Sequence, residues 1–217
     1  MFLGSYGAAR AADTSIVYGN NASFGGDYVE KFDLTTGAKL NMFHPSTGNG
    51  RGVVVVGNVI YSTVAFDPHI YKTDATTGLS LGSILTTNAS MSTIAWDGSS
   101  FWTTDYSGTN RGFQIDATTG ANIKTVTFGL AHDYMDGMEY FNGKLIVNRD
   151  DAGYNYDIYD TNGNVLTTNF ISTDYRSTGI AFDGTNFWVS DIFSNKIHEY
   201  DGTLGTEIAA GLITLAG

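Results

Sequence analysis

"QIDATTG", residues 114–120, decides how this chain is read, because four further segments of the same type flank it. They are "KFDLTTG" at 31–37, "KTDATTG" at 72–78, "IYDTNG" at 158–163 and "EYDGTLG" at 199–205. Their aspartates, Asp33, Asp74, Asp116, Asp160 and Asp201, stand 41, 42, 44 and 41 residues apart. Each segment has the chemistry of a tight turn: Asp and Thr oxygens cap turn amides, and the closing Gly accepts a positive φ. A unit recurring every ~42 residues suits one four-stranded propeller blade.

Outward from these turns, a second feature keeps the same register. "TIAWDGSSFWTTD" at 93–105 and "GIAFDGTNFWVSD" at 179–191 each run from an apolar strand through an Asp-Gly turn into an aromatic strand. "GVVVVGNVIYSTV" and "GMEYFNGKLIVNR" are looser copies. Asp-Gly and Asn-Gly are the dipeptides a short hairpin requires. No segment carries the i, i+3, i+4 apolar period of a helix, and β-branched and aromatic residues dominate the strands. The expected fold is therefore all-β, a five-bladed β-propeller of four-stranded antiparallel blades, forming one domain over residues 1–217. Trp96, Trp102 and Trp188, at repeated strand positions, are expected between blades.

Five such blades need roughly twenty strands, and residues 13–217 supply about one fewer. The first blade lacks its inner strand, and "FLGSYGA", residues 2–8, is the expected donor. The alternative is a strand borrowed from a neighbouring subunit, since an open sheet edge invites pairing. Ala9-Arg10-Ala11 resembles a signal cleavage site. The charged and long apolar regions that should precede such a site are absent, so these residues are assigned to the fold.

Composition narrows the function classes. Asp and Glu number 22 against 11 Lys and Arg, a formal charge of -11, and no basic run exists. A nucleic-acid partner and an anionic membrane surface are both disfavoured. With no Cys there are no disulfides, thiolate nucleophiles or cysteine zinc sites. No apolar run reaches the length of a membrane span.

On the repeats, the whole chain resembles five-bladed members of the NHL and YVTN type of propeller. "GDYVEKFDLTTG", "GNGRGVVVVG", "MEYFNGKLIVNR", "YDIYDTNGN" and "GIAFDGTNFWVSDIF" resemble exported bacterial proteins bearing a PEP-CTERM sorting tail. That resemblance implies an extracellular or cell-surface location, with no assigned activity and no catalytic residues to carry over. The given chain stops at "GLITLAG" without Pro-Glu-Pro, span or basic end, so anchoring is not carried over.

Near-identical turns on one face of a propeller read as folding chemistry, whereas the loops of the other face differ in every blade and are where binding groups belong. Arg51, Tyr106, Arg111, Tyr134, Tyr175 and Arg176 are the candidate binding residues there. Aligning the inner strands places Arg51, Ser92, Asp136 and Thr178 at the channel mouth, with Val54, Ala95, Glu139 and Ala181 one layer further in. Glu139 is the odd member, a carboxylate that needs water, a cation or a basic partner, for which Arg51 is the candidate.

"LAHDYMDGMEYF", residues 130–141, feeds into that position. His132, Asp133, Asp136 and Glu139 are candidate ligands for a divalent cation such as calcium, and the competing reading is an ordinary polar loop. Two functions follow. One is a non-enzymatic extracellular binding or structural module recognising a glycan, a protein surface or a copy of itself. The alternative is a metal-dependent lactonase or lyase with His132, Asp136 and Glu139 as its catalytic set.

Overall fold

A computed structural model describes residues 2–4, 6–7, 16–21, 27–130, 134–149 and 154–216. It is a five-bladed β-propeller. Blade 1 runs from its inner edge through Phe2–Gly4, Ile16–Asn21, Tyr28–Asp33 and Lys39–Phe43. Blade 2 follows as Gly50–Val56, Val59–Val64, His69–Asp74 and Ser80–Leu85. Blade 3 is Ala95–Trp96, Ser100–Thr104, Arg111–Asp116 and Asn122–Thr127. Blade 4 is Met138–Phe141, Lys144–Asn148, Tyr156–Asp160 and Val165–Ile171. Blade 5 closes the series with Ser177–Phe182, Asn186–Asp191, Lys196–Asp201 and Ile213–Thr214.

The expected N-terminal donor is in place. Phe2–Gly4 is the inner strand of blade 1, antiparallel to Ile16–Asn21 with Phe2 opposite Asn20 and Gly4 opposite Tyr18. The chain then does something the strand count did not foresee: Tyr6–Gly7 crosses to blade 2 and pairs in parallel with Val55 and Val56. Inner strands of a propeller all run the same way, so a segment leaving one can continue only in parallel along the next.

The turns that define the repeat are built as their chemistry requires. Asp33 Oδ1 accepts the amides of Thr35 and Thr36 at 2.7 and 2.9 Å, and Asp74, Asp116, Asp160 and Asp201 repeat the arrangement. Backbone amides hold the carboxyls of Asp33, Asp74 and Asp116 below the usual range, and the Asn164 side chain leads for Asp160. The first hairpins add a second device. Asp183 takes the amides of Thr185 and Asn186 on one oxygen and the Trp188 indole at 2.8 Å on the other. Asp97 does the same for Ser99, Ser100 and Trp102. Burial opposes ionisation of Asp97, but the Ser100 and Ser99 hydrogen bonds prevail and lower it to about 2.

Five apolar clusters fill five interfaces, one between each pair of neighbouring blades. Val54, Ile84, Phe101 and Phe113 join blades 2 and 3. Trp102, Phe128, Leu145 and Tyr159 join 3 and 4, and Ile146, Tyr156, Phe187 and Tyr200 join 4 and 5. Tyr18, Val29, Val53 and Ile60 join 1 and 2. Val17, Phe32, Trp188, Ile197 and Leu215 join blade 5 back to blade 1. The expected inter-blade place of Trp102 and Trp188 holds, and Trp96 packs half-buried beside the cluster of blades 2 and 3.

The glycine closing the repeated turn has a second duty at these interfaces. A Cβ built on Gly120, Gly163 or Gly205 would lie 2.1, 2.4 or 1.9 Å from a backbone carbonyl oxygen of the preceding blade's outer strand, at Leu85, Thr127 and Phe170. The same contact closes the ring, with a Gly37 Cβ 2.1 Å from the Thr214 carbonyl oxygen and the Ala216 amide donating to the Gly37 carbonyl at 2.9 Å. Bare backbone against bare backbone therefore seats four of the five blade pairs, whereas at the seam of blades 1 and 2 a Gly78 Cβ would meet only the Phe43 side chain, at 3.6 Å.

Candidate functional site at the channel mouth

Register explains why polar groups gather at one end of the channel. Gly4, Val54, Ala95, Glu139 and Ala181 lie opposite Tyr18, Tyr61, Trp102, Ile146 and Trp188. Two residues beyond those partners come Asn20, Thr63, Thr104, Asn148 and Ser190, all fully buried. Thr63, Thr104 and Asn148 reach the next blade, donating to the carbonyls of Ser92, Met135 and Ser177 at 2.6, 2.8 and 3.2 Å. This polar ring satisfies the backbone where inner strands begin, as buried carbonyls and amides demand.

Asn148 Oδ1 also accepts the backbone amides of Asp136 and Gly137 at 2.8 and 3.0 Å, which anchors the backbone that carries the Asp136 side chain. Asp136 Oδ1 accepts the Ser92 hydroxyl at 2.7 Å, and its Oδ2 lies 3.7 Å from Arg51 Nη1. Three members of the aligned mouth column, from blades 2, 3 and 4, thus form one contact. Arg51 meets Asp136, one layer above Glu139, the partner the sequence put forward. Glu139 is 1% exposed and accepts the Tyr140 amide at 2.8 Å.

Above this pair sits an aromatic cap. The Arg51 guanidinium lies 4.2 Å from the Tyr106 ring centre and also donates to the Tyr106 hydroxyl. Tyr106 meets Tyr134 at 5.4 Å and Phe66 edge-on at 5.3 Å. Phe66 is 72% exposed and Tyr134 44%. Phe66 holds φ at 62°, a left-handed backbone that costs a bulky residue of order 1 kcal/mol or more. Neither solubility nor folding favours such a residue there.

Compared with known proteins, the chain matches no family model, and no curated protein matches it.

Of the expected binding residues, Arg51, Tyr106 and Tyr134 come together. Arg111 does not join them: it pairs with Asp105 at 2.6 Å in a groove lined by Asn88, Ser90 and Ser107. Burial works against Asp105, yet hydrogen bonds from Ser107, Thr109 and Arg111 hold its carboxyl below the usual range. Tyr175 stacks on His198 at 4.1 Å and shares a hydroxyl contact of 2.9 Å with Tyr200 against the core of blades 4 and 5, so it serves packing there. Arg176 lies on blade 5, apart from the Arg51 cluster. His132 and Asp133 fall outside the described residues. Among the described residues, no group of three or more His, Asp or Glu side chains is placed to hold a metal ion.

Sequence reasoning overlooked one more group beside Arg51. Asp27 is fully buried, and its carboxylate takes the Asn20 amide at 2.8 Å, the Ser46 hydroxyl at 2.9 Å and the Ser62 hydroxyl at 3.4 Å. Asn20 and Asp27 press on Gly50, where a Cβ would lie 2.2 and 2.3 Å from their oxygens. The signal was the column of polar second-strand residues, in which Asn20 aligns with Thr63 and Asn148. Burial raises the Asp27 carboxyl to about 6, against lowering by Asn20, Ser46 and Ser62. A raised pKa favours the fold below the unfolded value of 3.8 and loses that contribution as pH climbs through about 6. Asp27→Asn is therefore expected to stabilise the protein by about 1 to 3 kcal/mol at pH 8 and to change little at pH 4. Denaturant melts at the two pH values check this; equal effects at both would contradict it.

Proposed function

We propose that the protein is a non-enzymatic binding module that recognises a neutral glycan at its channel mouth. The observation that carries this reading is Phe66, a bulky residue held at φ 62° and left 72% exposed against Tyr106. Aromatic faces pack against the C–H side of sugar rings, while hydroxyls need paired donors and acceptors. Arg51 and Asp136 supply one of each, and their charges offset one another. A mouth balanced in this way within a chain of charge -11 suits an uncharged ligand better than an anionic one. The resemblance to NHL and YVTN propellers and to exported PEP-CTERM proteins supports an extracellular or cell-surface setting, where glycans and other surfaces are met.

Phe66→Gly tests the reading without compromising the fold, because glycine adopts positive φ freely. The variant is expected to melt no lower than the wild type and to bind glycan at the channel mouth at least about tenfold more weakly, as loss of a stacking aromatic implies. Tyr106→Ala should weaken binding similarly. A glycan array followed by calorimetric titration reads both. Stoichiometric tightly held metal with chelator-sensitive ester hydrolysis would favour the lactonase alternative, and an array without signal would overturn the glycan reading.

A further inference from the structure

Phe66 has a counterpart. Phe193 stands five residues beyond Trp188 as Phe66 stands five beyond Tyr61, and those two aromatics face equivalent inner-strand residues, Ala181 and Val54. The equivalence extends to the backbone. The Ala65 amide donates to the Asn49 carbonyl at 2.9 Å, and the Ile192 amide donates to the Arg176 carbonyl at 3.1 Å. Each bond ties the loop between second and third strands to the chain entering the same blade, and each immediately precedes its phenylalanine. Phe193 is 76% exposed. Two blades therefore present the same solvent-facing ring, at a place where blade 3 carries Ser107.

Around Phe193 the chemistry of the first site returns by different means. The Arg176 guanidinium lies 6.0 Å from the Phe193 ring centre and 5.7 Å from that of Tyr154. Arg176 occupies the place of Asn49, two residues before the place of Arg51, so the arginines are not copies of one ancestral side chain. They reach the same arrangement from different positions. Tyr154 also holds a positive φ of 54°. Among the described residues, Phe66 and Tyr154 are the two aromatics with a left-handed backbone, every other such residue being Asn or Gly. Each strained aromatic belongs to an arginine-bearing cluster on a loop of the variable face. Strain of this kind persists where the surroundings impose it and marks binding sites more often than scaffold.

We infer that Phe193, Tyr154 and Arg176 form a second sugar-binding subsite on the same face, so that the propeller engages a neutral glycan at two places. This rests on the glycan reading of the first site. Two modest subsites joined by one rigid ring bind a polymer more tightly than a fragment, because the second contact forms at high effective concentration.

Titration calorimetry with the neutral oligosaccharide that scores best on the array, and with its parent polymer, separates the two claims. The wild type is expected to bind two oligosaccharides per chain, Phe193→Ala one and Phe66→Gly one, with the polymer at least about tenfold tighter than the oligosaccharide only in the wild type. Tyr154→Gly, which relieves a left-handed backbone, gives a second variant that should fold and still lose one equivalent. A wild type binding a single equivalent that Phe66→Gly abolishes and Phe193→Ala leaves intact would overturn the second subsite while the first stands. A wild type that binds no glycan, or that captures a protein ligand through Phe66 instead, would overturn both.

Discussion

A chain lacking residues 1–7 is expected to lose its cooperative thermal transition. Phe2–Gly4 supplies the inner strand of blade 1, and Tyr6–Gly7 seals the inner edge of blade 2. Removing them unpairs backbone groups on Ile16–Asn21 and Gly50–Val56 at the centre of the ring, where water has poor access. The loss also breaks contact between blade 1 and blade 5, because the inner strand of blade 1 lies against Ser177–Phe182. A cost of about 3 kcal/mol or more is a large part of the stability of a typical domain. Scanning calorimetry of the truncated chain, with and without a synthetic peptide of residues 1–8, reads the effect. Melting like that of the intact chain would show that the segment is dispensable, and restoration by the peptide would show that it acts as a strand.

Gly37→Ala should be nearly as damaging for a different reason. Its Cβ would meet the Thr214 carbonyl oxygen at 2.1 Å, and that oxygen is backbone, which cannot rotate away. The positive φ of 70° adds a left-handed penalty. Gly57→Ala is the control: φ is 61°, but nothing lies within 4 Å of the added carbon. Gly57→Ala is expected to cost about 1 kcal/mol, from backbone strain alone, and Gly37→Ala about 3 kcal/mol or more. Urea melts compare them directly; equal costs would mean that the blades do not seat on the turn glycine.

The turn glycine shows why the fold was legible. An Asp that caps the turn amides and a Gly that takes the positive φ are needed in every blade, so the counterparts of Asp116 and Gly120 recur about every 42 residues and betray the blade count. The mouth column was legible for the same reason, since inner-strand register carries Arg51, Ser92 and Asp136 to one level. The aromatic cap was only half visible. Tyr106 and Tyr134 could be assigned to the variable face, but Phe66 reads in sequence as one more apolar residue after a strand. Only its backbone angle and exposure distinguish it, and both come from three-dimensional contacts. Asp27 was missed because its burial depends on Ser46 and Ser62, from a loop and a strand that follow it.

Five seams of similar construction have unequal histories. Four join stretches adjacent along the chain, so each can set as soon as its second partner leaves the ribosome. The fifth joins Val17 and Phe32 to Ile197 and Leu215, and it must wait until Leu215 has been made. Bringing such distant segments together carries the largest loop-closure entropy in the molecule. Until then the first blade has a completed side and a bare one, and the growing protein is an open arc. The stretch through Ile213, Thr214 and Leu215 acts as a latch, and translation cannot deliver a closed ring before it.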